Sequence, residues 1–169
     1  LAGLERDLKQ AGYYVNLALH DDVPEEEIAI LDGFMRKDMC GLIVVSCQNS
    51  YVYFEQSRRT PIVFIDRKPG NPDVNFISFD AYETTRYLLT ELKREGCETI
   101  ALFAGPVSLS CEADAARAFR DFYSENDMPD AERYLRHLRA TKEEAFRTGV
   151  EYFSSSKPDA VIATSRNIT

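Results

Sequence analysis

An α/β fold with a doubly wound parallel sheet is predicted by three observations. Short apolar runs recur along the chain, and helically spaced stretches of about ten to fifteen residues separate most of them. No low-complexity segment interrupts the alternation. The chain has 169 residues, 44% hydrophobic and 28% charged, which is ordinary globular composition and enough for one domain with a core or two small lobes.

The elements follow in order. Leu1, Leu4, Leu8 and Ala11 recur at helical spacing with Gly12 placed as a left-handed cap, which predicts a helix over 1–11. A strand is expected over 13–19. Pro24 followed by Glu25, Glu26 and Glu27 gives an acidic first helical turn, and Ile28, Leu31, Met35 and Met39 mark its buried stripe. The near-continuous apolar run 42–45 predicts a strand covered on both faces. A short helix over 51–59 and strands over 62–65 and 76–79 come next. In 81–95, Tyr82, Thr85, Leu88, Leu89 and Leu92 share a helical face, closed by Gly96. Strand 100–104, helix 112–125 with Ala116, Phe119 and Tyr123 inward, strand 134–138, helix 142–153 and strand 160–163 complete a set of about seven strands. The sequence opens inside a helical pattern and stops where a helix is due, as expected of a segment from a longer protein.

Several chemistries find no support. A net charge of −8 repels a phosphate backbone, so nucleic-acid binding would need another segment. No apolar run approaches the roughly 20 residues that span a bilayer, so no membrane association is expected. Neither a phosphate-binding GxxxxGK loop nor a GxGxxG turn is present, and no cofactor is expected. His20 and His137 lack metal-ligand spacing, so no metal site is expected. Ser46, Ser108 and Ser110 have no nucleophile elbow. Asp66 and Asp80 could pair as hydrolase carboxylates, but 28 acidic residues make such pairs common. Cys40, Cys47, Cys97 and Cys111 lack CxxC spacing and read as reduced thiols, mostly small hydrophobes, which points to the cytoplasm.

What remains is the rim of the sheet. In open α/β folds, ligands sit outside the carboxyl ends of the strands. The polar residues there are His20, Asp21 and Asp22; Ser46, Cys47 and Gln48; Asp66 and Arg67; Asp80; Gly105 and Ser108; and Ser165, Arg166 and Asn167. Carboxylates, amides, hydroxyls and a guanidinium are the groups a polar small ligand needs; the plain alternative is solvated loop residues.

The succession AGYYVNLALHDD, DMCGLIVVS, TPIVFIDRKP, VNFISFDAYETTRYLLTELKREGCETIALFAG, ARAFRDFYSENDM and KPDAVIATSRNIT resembles, over essentially the whole chain, the effector-binding region of LacI/GalR transcription regulators. The resemblance implies the two-lobe, type I periplasmic-binding-protein-like fold, with parallel sheets flanked by helices. It implies an N-terminal, DNA-proximal lobe over 1–79 lacking its first strand, an incomplete distal lobe over 80–169, and a hinge crossing at Phe79, Asp80 and Ala81. The helix-turn-helix that reads operator DNA would lie outside this chain.

Carried over by motif, Asp66 and Asn167 become effector-binding residues, with Ser46, Gln48, Arg67 and Arg166 around them. The family's RxxGF arginine falls on Ala115 here, and Arg117 lies about 200° round the helix from it. The implied function is a non-enzymatic, homodimeric, cytoplasmic regulator. Its effector, a sugar or related metabolite, would shift the balance between two lobe orientations and so alter operator binding. A periplasmic sugar-binding protein of the same fold is the alternative, and a small α/β hydrolase a more distant one.

Overall fold

The computed structural model describes residues 2–20, 23–47, 60–68, 74–128, 130–139, 141–165 and 168. Three of the expected effector-binding residues, Gln48, Arg166 and Asn167, lie outside the described residues, as do Asp21, Asp22 and the helix expected over 51–59.

Six strands and six helices form among the described residues, in the order α1 (Ala2–Gln10), α2 (Pro24–Met35), β1 (Leu42–Val44), β2 (Ile62–Ile65), β3 (Asn75–Ile77), α3 (Ala81–Arg94), β4 (Ile100–Ala104), α4 (Ser110–Glu125), α5 (Ala131–Tyr134), β5 (Leu135–His137), α6 (Lys142–Ser155) and β6 (Ala160–Ala163). They make two separate three-stranded sheets, β1-β2-β3 and β5-β4-β6, and every ladder is parallel. Parallel neighbours require crossovers; α4, α5 and α6 supply them in the second sheet, whereas no helix separates β1, β2 and β3 among the described residues.

The second sheet holds the larger core. All five residues of β4 are buried, and Leu89, Phe119 and Tyr123 of α3 and α4 pack against it. Phe103 meets Tyr152 of α6 edge to face, with ring centroids 5.3 Å apart. Successive strand residues face opposite ways, so helices lie on both faces of β4. In the first sheet, Leu42, Val44 and Phe64 pack with Leu31, Phe34 and Met35 of α2.

Four expectations are corrected. Residues 13–19 form no strand, because among the described residues no neighbour supplies a ladder; Tyr14 is 93% exposed. β1 is covered on one face only, since Ile43 and Val45 stay exposed and α2 packs on the other side. β3 stops at Ile77, where Ser78 turns its hydroxyl to the Asp66 carbonyl at 2.7 Å. Asp130 caps a single helical turn by accepting from Glu132 N–H, so the next strand begins at Leu135. The helix expected over 1–11 is observed as Ala2–Gln10, with Leu4 exposed and Leu8 half-buried.

Candidate functional site

The carboxyl ends of β1, β2 and β3 bring the first group of candidates together. Ser46 follows β1 and is buried, and its carbonyl accepts from Arg67 Nη1 at 3.2 Å. Asp66 follows β2 at φ +72°, and Arg67 N–H bonds back to Ile65 O at 2.8 Å. That bond and that φ make a three-residue γ-turn of the rare positive-φ kind. Asp66 N–H donates to Ile77 O at 2.8 Å, so the bend is braced by β3. The turn holds Asp66, half-buried, at the sheet's rim.

The second sheet supplies the opposite wall. Lys68 N–H donates to Ser110 Oγ at 2.8 Å, joining the loop after β2 to the first residue of α4. Between the sheets lies a cleft of about 350 Å³ lined by Lys68, Phe76, Asp80, Tyr82, Asp114 and Arg117, together with Ser78, Phe79, Ala81, Ser110 and Cys111. The expected hinge residues Phe79, Asp80 and Ala81 therefore line the cleft floor. Asp80 also caps α3, accepting from Glu83 N–H at 2.9 Å.

Charge in the cleft is largely paired internally. Arg117 donates to Asp114 at 2.8 Å and lies 4.2 Å from the Tyr82 ring centroid. The Asp114 carboxylate holds the Arg117 guanidinium above its ordinary pKa. Lys68 Nζ sits 5.3 Å from the Phe76 ring. Burial, then the negative fields of Glu112 and Asp66, push the Cys111 thiol up. Asp66, Ser46 and Arg67 themselves are not among the residues that line this cleft. Ala115, the position at which the resemblance to LacI/GalR regulators implies an arginine, is buried. Just before it on α4, buried Glu112 accepts from Gly105 N–H at 2.7 Å. A Cβ on Gly105 would stand 2.9 Å from Glu112 Cδ, so a larger residue there would require the Glu112 side chain to move.

Sequence reasoning missed Lys68, Tyr82 and Asp114 as cleft residues, and treated Ser110 only as a nucleophile. They belong to the loop and helix faces across the cleft, and no motif marks them. It also missed Glu27, grouped with the exposed acids of its helical turn but here 2% exposed. Glu27 Oε2 accepts from Cys47 N–H at 2.8 Å and from Cys47 Sγ at 2.7 Å. Cys47 thus serves as a polar partner rather than a small hydrophobe. None of the four cysteines is in a disulfide.

Two parallel sheets with a cleft beside their carboxyl ends define the α/β, periplasmic-binding-protein-like class. Solved neighbours place the fold more narrowly. The structure of the Cra transcriptional dual regulator from Pseudomonas putida in complex with fructose 1-phosphate superposes with a TM-score of 0.84 at 23% identity, covering 99% of this chain and 63% of that one. A LacI family regulator from Lactobacillus casei with bound glucose gives 0.81 at 23% identity, covering 99% and 64%. No family model matches the chain. Among curated proteins, the fructose operon regulatory protein of Vibrio cholerae is 28% identical over 171 aligned positions, which cover 96% of this chain and 50% of that protein. The sucrose operon repressor of Klebsiella pneumoniae is 24% identical over 117, covering 69% and 35%. The chain therefore has the fold of a LacI-type effector-binding region, and it spans half or less of the length of these curated relatives.

Proposed function

We propose that the chain is the effector-sensing part of a LacI-type transcription regulator, with residues 1–79 as the DNA-proximal lobe and 80–169 as the distal lobe. The observation that carries this reading is the cleft between two parallel sheets; a γ-turn holds Asp66 at the carboxyl end of β2, and Lys68, two residues along, links it to the cleft lining. Its supports are the ordered motifs, the fold, and two relatives named as sugar-operon regulators.

A sugar or related metabolite would enter the cleft, with Asp66 accepting hydrogen bonds from ligand hydroxyls. Ser46, Gln48, Arg67, Arg166 and Asn167 would complete the polar lining. No covalent step is required. A ligand that fits one lobe orientation better shifts the equilibrium by its differential affinity, with the crossing at Phe79, Asp80 and Ala81 as the hinge. Operator DNA would be met by an N-terminal headpiece on a cytoplasmic homodimer, and the exposed stripe of α1 would lie in the seam between copies.

Calorimetry of this chain against fructose 1-phosphate, glucose and sucrose tests the reading. Saturable binding of at least one, weakened by about ten- to a hundredfold in Asp66→Asn, is expected. No heat from any of the three, or equal affinity in the variant, would count against it. With no arginine at position 115 and the cleft's Arg117 already engaged by Asp114, the phosphorylated sugar should gain little over the neutral ones, because a free bidentate guanidinium is the usual phosphate fork.

A further inference from the structure

We propose that His20, Glu27 and Cys47 form a binding site for one zinc-class divalent cation beside the carboxyl end of β1. The three donors come from separate places: the segment before α2, the first turn of α2 and the loop after β1. One ligand atom from each nevertheless lies within 4.8 Å of the others. Glu27 and Cys47 are both buried.

The histidine carries the argument. His20 Nε2 lies 3.1 Å from the Val45 carbonyl oxygen. A carbonyl can only accept, so Nε2 bears the proton. Nδ1 then holds the lone pair, and it is shielded from solvent with no hydrogen-bond partner among the described residues. Metal-bound imidazoles are held in this way, one nitrogen donating to a backbone carbonyl while the other faces the ion. Sγ of Cys47 and Oε2 of Glu27 approach to 2.7 Å, which requires a positive centre between two electron-rich atoms, either a proton or a cation.

Charge decides in favour of the cation when one is available. On binding, the Cys47 thiol releases its proton to solvent and the sulfur forms the metal bond. Glu27 binds as carboxylate and His20 as neutral imidazole. One thiolate and one carboxylate then balance a doubly charged ion, so the buried group becomes neutral overall. A mixed sulfur, nitrogen and oxygen set with three protein ligands suits zinc or cobalt, with solvent at the fourth tetrahedral position. Magnesium and calcium prefer all-oxygen sites. Metal bonds of about 2.0–2.3 Å would spread the sulfur and carboxylate apart as the ion enters.

The site is linked to the loop after β2, whose Lys68 lines the cleft. Ser46, next to Cys47, takes the Arg67 guanidinium on its carbonyl. An ion here would tie the segment at His20 to α2 and to the rim of β1, and so stiffen one edge of the cleft.

Titration of the metal-free chain with cobalt(II) tests the proposal by absorption. One equivalent should bind with a thiolate-to-cobalt charge-transfer band in the near ultraviolet. Cys47→Ser should abolish that band while keeping a hydroxyl for Glu27, and His20→Ala should weaken cobalt binding at least about tenfold. Far-ultraviolet circular dichroism of both variants confirms that they fold. Absence of the band in the unaltered chain, its persistence in Cys47→Ser through Cys40, Cys97 or Cys111, or unchanged affinity in His20→Ala would each overturn the site.

Discussion

Tyr123 shows how a single buried hydroxyl sets a pH limit. Its O–H donates to the Ile100 carbonyl and accepts from Ile100 N–H at 3.0 Å, bracing the first residue of β4. Burial pushes the phenol up to about 12 from 10.0. An unfolded chain therefore loses this proton first as pH rises. The stability contributed by the neutral phenol is complete below pH 10 and is lost between pH 10 and 12. Tyr123→Phe should lower stability at neutral pH by about 1–3 kcal/mol, because both Ile100 groups lose their partner. It should also reduce the fall above pH 10, as urea midpoints across alkaline pH would show. At Asp66, the φ of +72° makes Asn the informative replacement, because Asn tolerates that region whereas Ala would add backbone strain to the loss of charge.

Elements are held in register by polar residues at their ends. Asp80 closes the first turn of α3, and Asp80→Ala should cost about 1 kcal/mol, measured by urea unfolding, with α3 fraying first in hydrogen exchange. Asp159 plays the matching part between strands: Oδ2 accepts from Glu98 N–H at 3.0 Å, Thr99 N–H at 2.8 Å and Thr99 Oγ1 at 2.9 Å. The Thr99 bonds hold its carboxyl below the usual range. The stabilisation is present above the unfolded carboxylate pKa and is lost as pH falls through the lowered folded value. Asp159→Asn should therefore be less stable than the unaltered chain at neutral pH and should converge with it in acid.

Across the whole molecule, the two sheets meet through Lys68, Ser110 and the crossing at 78–81. A sugar that binds the cleft at 100 times its dissociation constant should raise folding stability by about 2.7 kcal/mol, read as a shift in thermal midpoint. Asp66→Asn should lose most of that shift at the same concentration. The same concentration of a sugar that calorimetry shows not to bind should leave the midpoint where it was.

Helices and strands were legible because their signals are local. Pro24, Gly96 and the apolar runs at 62–65 and 100–104 act through backbone geometry and burial within a few residues of themselves. The strand over 13–19 was not, because a ladder depends on a neighbour and pattern alone cannot supply one. Asp66 stood out because strand ends in open α/β sheets collect ligands. The cleft residues Tyr82, Asp114 and Lys68 did not, since their meeting depends on how α3, α4 and the β2 loop pack.

By itself, then, the sequence determined the α/β class, the order of nearly every element and the strand-end candidates, because period and capping are properties of neighbouring residues. Only the tertiary structure decided that Glu27 is buried against Cys47 and His20, that Arg117 stacks on Tyr82, and that Ser110 reaches Lys68 across the cleft. Those contacts join residues or elements whose approach is fixed by packing, which no local pattern encodes.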